Sequence, residues 1–199
     1  MTTEEKWLDF ETINNEETFE LSELKGTYGI GGADLSAVND LTCASILIEK
    51  QKKKYLIQHF FIPKDKLEDK NRDDKVPYDI WAEKGYLTLC EGARVNFRDI
   101  TEWYLKMHRQ YDITAYWIGY DRWEAKYWIE DMKTEGFQME EVIQGAKTFS
   151  NPMKELEADL REKKLNYGNN PITKWCLLNT SIETDKNENI RPVKRKKQK

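Results

Sequence analysis

Runs of β-branched, aromatic and small residues predict a β-rich region near the start of the chain. Three such runs cover residues 29–36, 42–49 and 54–62. The second and third runs flank the polar turn KQKKK, which is the pattern of a β-hairpin. We therefore expect three strands in an antiparallel meander.

Helical and extended patterns alternate in the second half of the chain. Apolar residues at helical spacing predict four helices, over residues 96–109, 122–135, 150–168 and 171–185. ITAYWIGYD predicts a strand buried on both faces, because it shows little polar alternation, and MEEVIQG predicts a short strand.

Two other regions show weaker patterns. Residues 64–95 are charged and then punctuated by Trp, Tyr and Gly, which predicts a long loop and a short hairpin around Gly85. Residues 1–25 scatter apolar side chains among acids, as in a linker or in a segment that wraps onto the body of the protein.

The order of these elements indicates the fold class. A meander followed by helix, strand, helix, strand and two helices predicts an α/β fold with a mixed five-stranded sheet flanked by helices. This is the ribonuclease H-like plan. In that plan the first and fourth strands lie side by side and parallel, near the centre of the sheet.

Two carboxylates fall on those two strands. Asp34 interrupts an apolar, small-residue strand, and Asp121 ends the fourth strand. Strands about 4.8 Å apart would bring the two side chains together, and they would repel each other unless a cation joined them. Hard oxygen ligands suit Mg²⁺ or Mn²⁺, and a pair of such ions can cleave phosphodiesters. Nuclease chemistry follows if the two carboxylates meet.

Both aspartates also have simpler interpretations. Asp34 could close a bend through its own side chain, and Asp121 could cap the helix that follows it. Their coincidence on two strands that should be neighbours favours the metal site.

Composition narrows the function classes. The 199 residues are 39% apolar and 34% charged, which suits one soluble globular domain. No apolar run approaches the length of a membrane helix and no signal peptide is evident, so we expect a cytoplasmic protein without a membrane partner. The three cysteines have no metal-binding or disulfide spacing.

The two ends of the chain carry opposite charge. Residues 1–24 have eight acids and one lysine, and residues 186–199 have seven Lys or Arg and one acid. The basic tail could neutralise the phosphates of a polyanion or could be a solvated, disordered or truncated terminus.

Five sequence blocks, in order, resemble a known family. They are GGADLSAVNDLTCASIL, VPYDIWAEKGYLTLCEG, WIGYDRWEAKYW, VIQGAKTFSNPMKELEADL and NNPITKWCLLNTSIETDKNENIRPVK. The chain resembles the nuclease domain of the large terminase subunit of tailed bacteriophages over about residues 26–194. Asp34 matches the first acid of that family and Asp121 matches its second.

The resemblance implies an activity and a set of partners. It implies an endonuclease that cuts concatemers of double-stranded phage DNA during genome packaging, with two Mg²⁺ or Mn²⁺ ions, in the cytoplasm of the host cell. It also implies the terminase ATPase domain, the small terminase subunit and the portal as partners.

The sequence departs from the family in two places. Nothing fits the phosphate-binding pattern G-x-x-x-x-G-K-[S/T], so we expect a nuclease domain over residues 26–185 without the ATPase domain. The third acid of the family is not evident after the P-x-K segment. Asp185 is the favoured substitute and Glu183 the alternative, although either could be a solvated loop acid. Asp40 could lie near the metals or cap the second strand.

Several function hypotheses remain open from the sequence. The first is a metal-dependent DNA endonuclease, and the alternative is a catalytically silent module that docks on DNA or on the portal. Another ribonuclease H-like enzyme, such as a resolvase or transposase, is a third. Expected phosphate contacts come from basic side chains near the acids, namely Arg122, Lys126, Lys147 and residues 64–75. Trp123 and Trp128 are assigned to the core rather than to base stacking.

Overall fold

The computed structural model describes residues 4–36, 41–121 and 126–194. The chain divides into two compact units. The first unit comprises Met1–Thr18, Lys50–Tyr55 and Ile143–Lys199, and the second unit comprises Phe19–Glu49 and Leu56–Val142. Neither the predicted nuclease-domain boundaries nor the predicted tail boundary is tested by this division, and both stay predictions.

Ten strands and seven α-helices lie in the described residues. The strands are β1 (Glu4–Lys6), β2 (Thr27–Asp34), β3 (Thr42–Lys50), β4 (Lys53–Pro63), β5 (Leu87–Cys90), β6 (Ile113–Tyr120), β7 (Gln138–Glu141), β8 (Leu165–Asn166), β9 (Thr180–Thr184) and β10 (Ile190–Lys194). The helices are α1 (Phe10–Ile13), α2 (Leu67–Asp74), α3 (Tyr78–Glu83), α4 (Phe97–Tyr111), α5 (Lys126–Thr134), α6 (Ala146–Arg161) and α7 (Pro171–Leu178). Two 3₁₀ turns cover Leu21–Leu24 and Lys64–Lys66.

A mixed sheet forms the centre of the second unit, in the order β5-β4-β3-β2-β6-β7. β2 runs antiparallel to β3 and parallel to β6, while β6–β7 and β4–β5 are parallel pairs. The five predicted strands are β2, β3, β4, β6 and β7, and β5 adds an edge strand. The predicted α/β fold with a mixed sheet is confirmed, and so is the parallel, central pairing of its first and fourth strands.

The hairpin between β3 and β4 is built as its sequence indicates. Gln51 and Lys52 form the two-residue turn with φ of 53° and 64°. Positive φ at both central residues is the turn geometry that matches the twist of the flanking strands.

Helix α4 packs on the face of the sheet formed by alternate residues of β2. Gly31 and Ala33 are buried there, and the Tyr104 hydroxyl donates a hydrogen bond of 2.8 Å to Gly32 O. A Cβ at Gly31 would lie 2.7 Å from Ile118 Cγ1, so only glycine allows β2, β6 and the helix to approach this closely. The residues between them, Gly32 and Asp34, therefore face the opposite side.

Helix α5 is fixed to α4 by a cluster of ion pairs. Arg98 pairs with Glu102, with Asp131 at 2.7 Å and with Glu135 at 2.9 Å. The Thr101 hydroxyl donates to the same Asp131 carboxylate at 2.7 Å. These contacts hold α5 against α4.

The first unit has its own small sheet. β9 lies between β1 and β10, antiparallel to both, and β8 pairs in parallel with the start of β4. Its buried cluster is formed by Met153, Ile182 and Ile190, with Trp7 and Phe149 packed against them.

The structure corrects the predicted last helix. Residues 171–185 were expected to be helical throughout, but α7 ends at Leu178 and Thr180–Thr184 is the central strand of the small sheet. Every second residue of this segment is β-branched, and its pairing with β1 and β10 stabilises a strand more than continuation of the helix would.

Other predicted elements differ in detail. The hairpin expected around Gly85 is wrong, because the segment before it is α3 and β5 pairs in parallel with β4. Residues 1–25 carry β1, α1 and a 3₁₀ turn in their described part, where Leu8 and Ile13 are buried. β6 is not buried on both faces, since Tyr116 is 51% exposed and Trp117 is 48% exposed.

Candidate active site

Asp34 and Asp121 lie at the same end of two adjacent parallel strands. Asp34 is the last residue of β2 and Asp121 directly follows β6. The last register pair between the strands joins Ala33 to Tyr120. Continuing this register by one residue sets Asp34 beside Asp121, on the side of the sheet opposite α4.

The environments of the two carboxylates differ slightly. Asp34 is exposed and Asp121 is half-buried. Asp34 also aligns with Cys43 of β3, so it is a strand residue rather than part of a bend. The alternative role of Asp121 as a helix cap depends on residues 122–125, which lie outside the described residues.

Hydrogen bonds order the backbone next to Asp34. Ser36 N donates to Thr42 Oγ1 at 2.9 Å, and the same hydroxyl donates to Ser36 O at 2.7 Å. Thr42 is fully buried. The Ser45 hydroxyl donates to Gly32 O at 3.1 Å, two residues before the carboxylate. The sequence analysis did not predict these hydrogen bonds between the ends of β2 and β3. The one feature of the sequence that indicates them is a threonine at the start of β3.

Asp185 and Glu183 have local partners in the first unit. The Asp185 carboxylate accepts bonds from Asn187 N at 2.8 Å, Asn189 N at 2.9 Å and Asn189 Nδ2 at 3.0 Å. The hydrogen bonds from Asn189 hold the pKa of Asp185 below its ordinary value. Glu183 pairs with Arg191 across β9 and β10. Both acids therefore have structural roles in this hairpin.

The other predicted site residues are placed as follows. Asp40, Arg122 and Trp123 lie outside the described residues. Lys126 is exposed at the first described residue of α5, and Lys147 is exposed on α6 in the first unit. Lys64, in the charged segment, pairs with Glu91. Trp128 is 3% exposed, which confirms its assignment to the core.

The donor set fits a divalent metal in part. Two adjacent carboxylates supply hard oxygen ligands, and Mg²⁺ commonly binds through one or two carboxylates while keeping several waters. Over residues 4–36, 41–121 and 126–194, no group of three or more His, Cys, Asp or Glu side chains is arranged to hold a metal. Asp34 and Asp121 are thus two candidate ligands, and the described residues place no third side chain of these types with them.

A match over the whole chain shows its family. Residues 1–199 match the family described as terminase large subunit, endonuclease domain. The chain belongs to this family. The terminase large subunit of Enterobacteria phage HK97 is 28% identical over 157 residues, covering 77% of this chain and 31% of that protein. Protein YmfN of Escherichia coli K12 is 30% identical over 141 residues, covering 68% of this chain and 30% of YmfN.

Solved terminase structures share the fold. The crystal structure of the HK97 large terminase superimposes with a TM-score of 0.77 at 24% identity, covering 96% of this chain and 40% of that one. The large terminase nuclease of thermophilic phage G20c with bound magnesium gives 0.52 at 10% identity, covering 86% of this chain and 74% of that one. This terminase chain spans about a third of the length of its curated relatives.

None of the helices in the described residues of this terminase chain is both long and apolar enough to cross a membrane.

Proposed function

We propose that this terminase chain is a metal-dependent endonuclease that cuts double-stranded phage DNA concatemers during genome packaging. The observation that supports it is the β2–β6 register in a member of an endonuclease family: its last pair is Ala33 and Tyr120, which directly precede Asp34 and Asp121. The G20c nuclease was crystallised with magnesium and also with cobalt. We extend divalent metal dependence to this chain by that likeness.

Asp34 and Asp121 hold the metal in this proposal. Two bound Mg²⁺ or Mn²⁺ ions would supply an activated water and would stabilise the leaving oxygen of the phosphodiester. Asp34 lies on the backbone of β2 paired with β3, and Asp121 directly follows β6, which is paired with β2. The assignment of Asp185 as a third ligand stays a prediction from the sequence, and its carboxylate accepts bonds from Asn187 and Asn189 in its own hairpin.

Partners are proposed from the family alone. Double-stranded DNA is the substrate, and the terminase ATPase domain, the small terminase subunit and the portal are the proposed assembly partners in the host cytoplasm. Exposed Lys126 and Lys147 are proposed phosphate contacts.

A plasmid-nicking assay in Mg²⁺ and in Mn²⁺ tests the function. The parent should nick supercoiled DNA, and Asp34→Asn and Asp121→Asn should each abolish nicking. Asp79→Asn is the matched control, since this exposed carboxylate lies on α3 in the same unit. A parent that binds DNA without nicking it in either metal would replace the enzyme with the silent docking module.

A further inference from the structure

The side of the central sheet that carries the carboxylates also carries exposed apolar side chains. Ile30 on β2 is 61% exposed and Trp117 on β6 is 48% exposed, and the two are register partners. Leu47 on β3 is the partner of Ile30 on its other side and is 39% exposed. Soluble proteins rarely leave a contiguous set of large apolar side chains in water without a use for it.

This apolar row lies on the same side of β2 and β6 as the two acids. Along β2 the row runs Ile30, Gly32, Asp34, and along β6 the matching positions are Trp117, Gly119 and then Asp121. At about 3.3 Å per residue, Trp117 lies about 13 Å from the level of the carboxylates. A duplex strand advances about 3.4 Å along the helix axis per nucleotide and an extended strand advances farther, so this distance corresponds to about two to four nucleotides.

The Trp117 ring is held in place before any ligand binds. Its Nε1 donates a hydrogen bond to Gln138 Oε1 on β7, and Tyr116 packs edge-on against it with ring centroids 4.6 Å apart. Tyr116 is the extra residue of a register shift between β2 and β6. A fixed, half-exposed indole offers an aromatic face at little entropic cost.

Charge decides which part of a nucleic acid this surface can meet. Glu140 on β7 pairs with Gly119 and is exposed, and Glu49 lies two residues beyond Leu47 on the same side of β3. These acids repel phosphates. The row therefore suits a base or a deoxyribose, while the phosphates lie toward the metal-bearing end.

We propose that Trp117 and Ile30 form a substrate subsite that packs against an unpaired base about two to four nucleotides from the cut. Exposed aromatic rings on a sheet bind single-stranded nucleic acid by stacking, without sequence preference. The inference rests on the proposed function, because it takes the substrate strand to run from the acid pair along β2 and β6. It implies that the enzyme favours locally melted or single-stranded DNA next to the cut.

Oligonucleotide affinity tests the subsite separately from cutting. Fluorescence anisotropy measures the Kd of a labelled oligo-dT strand for the full chain, in EDTA and in Ca²⁺, with the strand checked for integrity afterwards. Trp117→Ala should weaken binding about tenfold, and Trp117→Phe should restore most of it. Phe10→Ala should change nothing, since Phe10 is equally exposed but lies on α1 in the first unit.

The outcomes separate this inference from the proposed function. Equal affinities for the parent and Trp117→Ala would overturn the subsite even if the parent nicks plasmid. If the parent does not nick plasmid but Trp117→Ala binds the strand more weakly than the parent, the proposed enzyme is overturned and the subsite stands. A change of oligomeric state in Trp117→Ala by sedimentation, with strand affinity unchanged, would mean that the row is a protein interface and would also overturn the subsite.

Discussion

Acidification should destabilise the second unit through His59. This histidine lies on β4, beside a cavity of about 610 Å³ whose lining includes Trp103 and Lys106. Burial, followed by the nearby Lys106 charge, lowers the pKa of His59 to about 4. One ring nitrogen forms a hydrogen bond of 2.7 Å with Thr88 Oγ1, and the ring stacks on that of Trp103 with the ring centroids 6.3 Å apart. The folded protein therefore holds a neutral imidazole.

The sign and size of the effect follow from the two pKa values. The pKa of His59 is lower in the folded chain than its ordinary value of 6.5, so its contribution to stability is present above pH 6.5 and is lost as the pH falls toward 4. Between pH 7 and pH 5 the loss is about 1.5–2 kcal/mol, allowing for water that reaches the ring from the cavity.

Urea unfolding at pH 7 and at pH 5 measures this loss. His59→Gln removes the titrating ring, so the variant should lose about 1.5–2 kcal/mol less than the parent over the same interval. His108→Gln is the matched control, because His108 is the other histidine and is exposed on α4. An equal pH dependence in the parent and in His59→Gln would refute the assignment of a neutral, buried His59.

Two further predictions concern the packing of α4 on the sheet. Gly31→Ala should lower the free energy of unfolding in urea by about 1–3 kcal/mol, because the new Cβ would lie 2.7 Å from Ile118 Cγ1. Gly145→Ala is the control and should lower it little, since nothing lies within 4 Å of its Cβ position. Equal losses in the two variants would contradict the close packing at Gly31. Tyr104→Phe should cost about 1–2 kcal/mol, since it removes the donor to Gly32 O from a buried site, and an unchanged midpoint would show that this bond contributes nothing.

Much of the central sheet could be predicted from the sequence because its signals are local. Alternating or continuous β-rich runs marked β2, β3, β4 and β6, and the KQKKK turn fixed the first hairpin. Apolar residues at helical spacing marked α4, although residue 96, predicted as its first residue, is the cap that accepts a bond from Arg98 N. The parallel pairing of β2 with β6 followed from the order of elements.

The misassigned elements depend on contacts between distant residues. Thr180–Thr184 forms a strand because it pairs with β1, which is distant in the sequence, and with β10, which follows it after a turn. Helix α6 begins at Ala146 rather than at residue 150, and Phe149 packs on the buried cluster of the first unit. Pro152 therefore lies inside the helix, where the local pattern had placed its start.

The candidate site was only partly accessible to sequence reasoning. Asp34 and Asp121 stand out because carboxylates are unusual on buried, central strands. The exposed row at Ile30 and Trp117 was missed, because apolar residues on a central strand read as buried on both faces. Only the register between strands shows which side each residue faces.

Manganese binding to the acid pair tests the central claim most directly. Isothermal titration or the Mn²⁺ resonance signal gives the affinity of the parent, of Asp34→Asn, of Asp121→Asn and of the double variant. If the two carboxylates share a cation, each single variant should lose most of the affinity and the double variant should lose little more. Full affinity in either single variant, or losses that simply add, would mean that Asp34 and Asp121 do not bind one metal together.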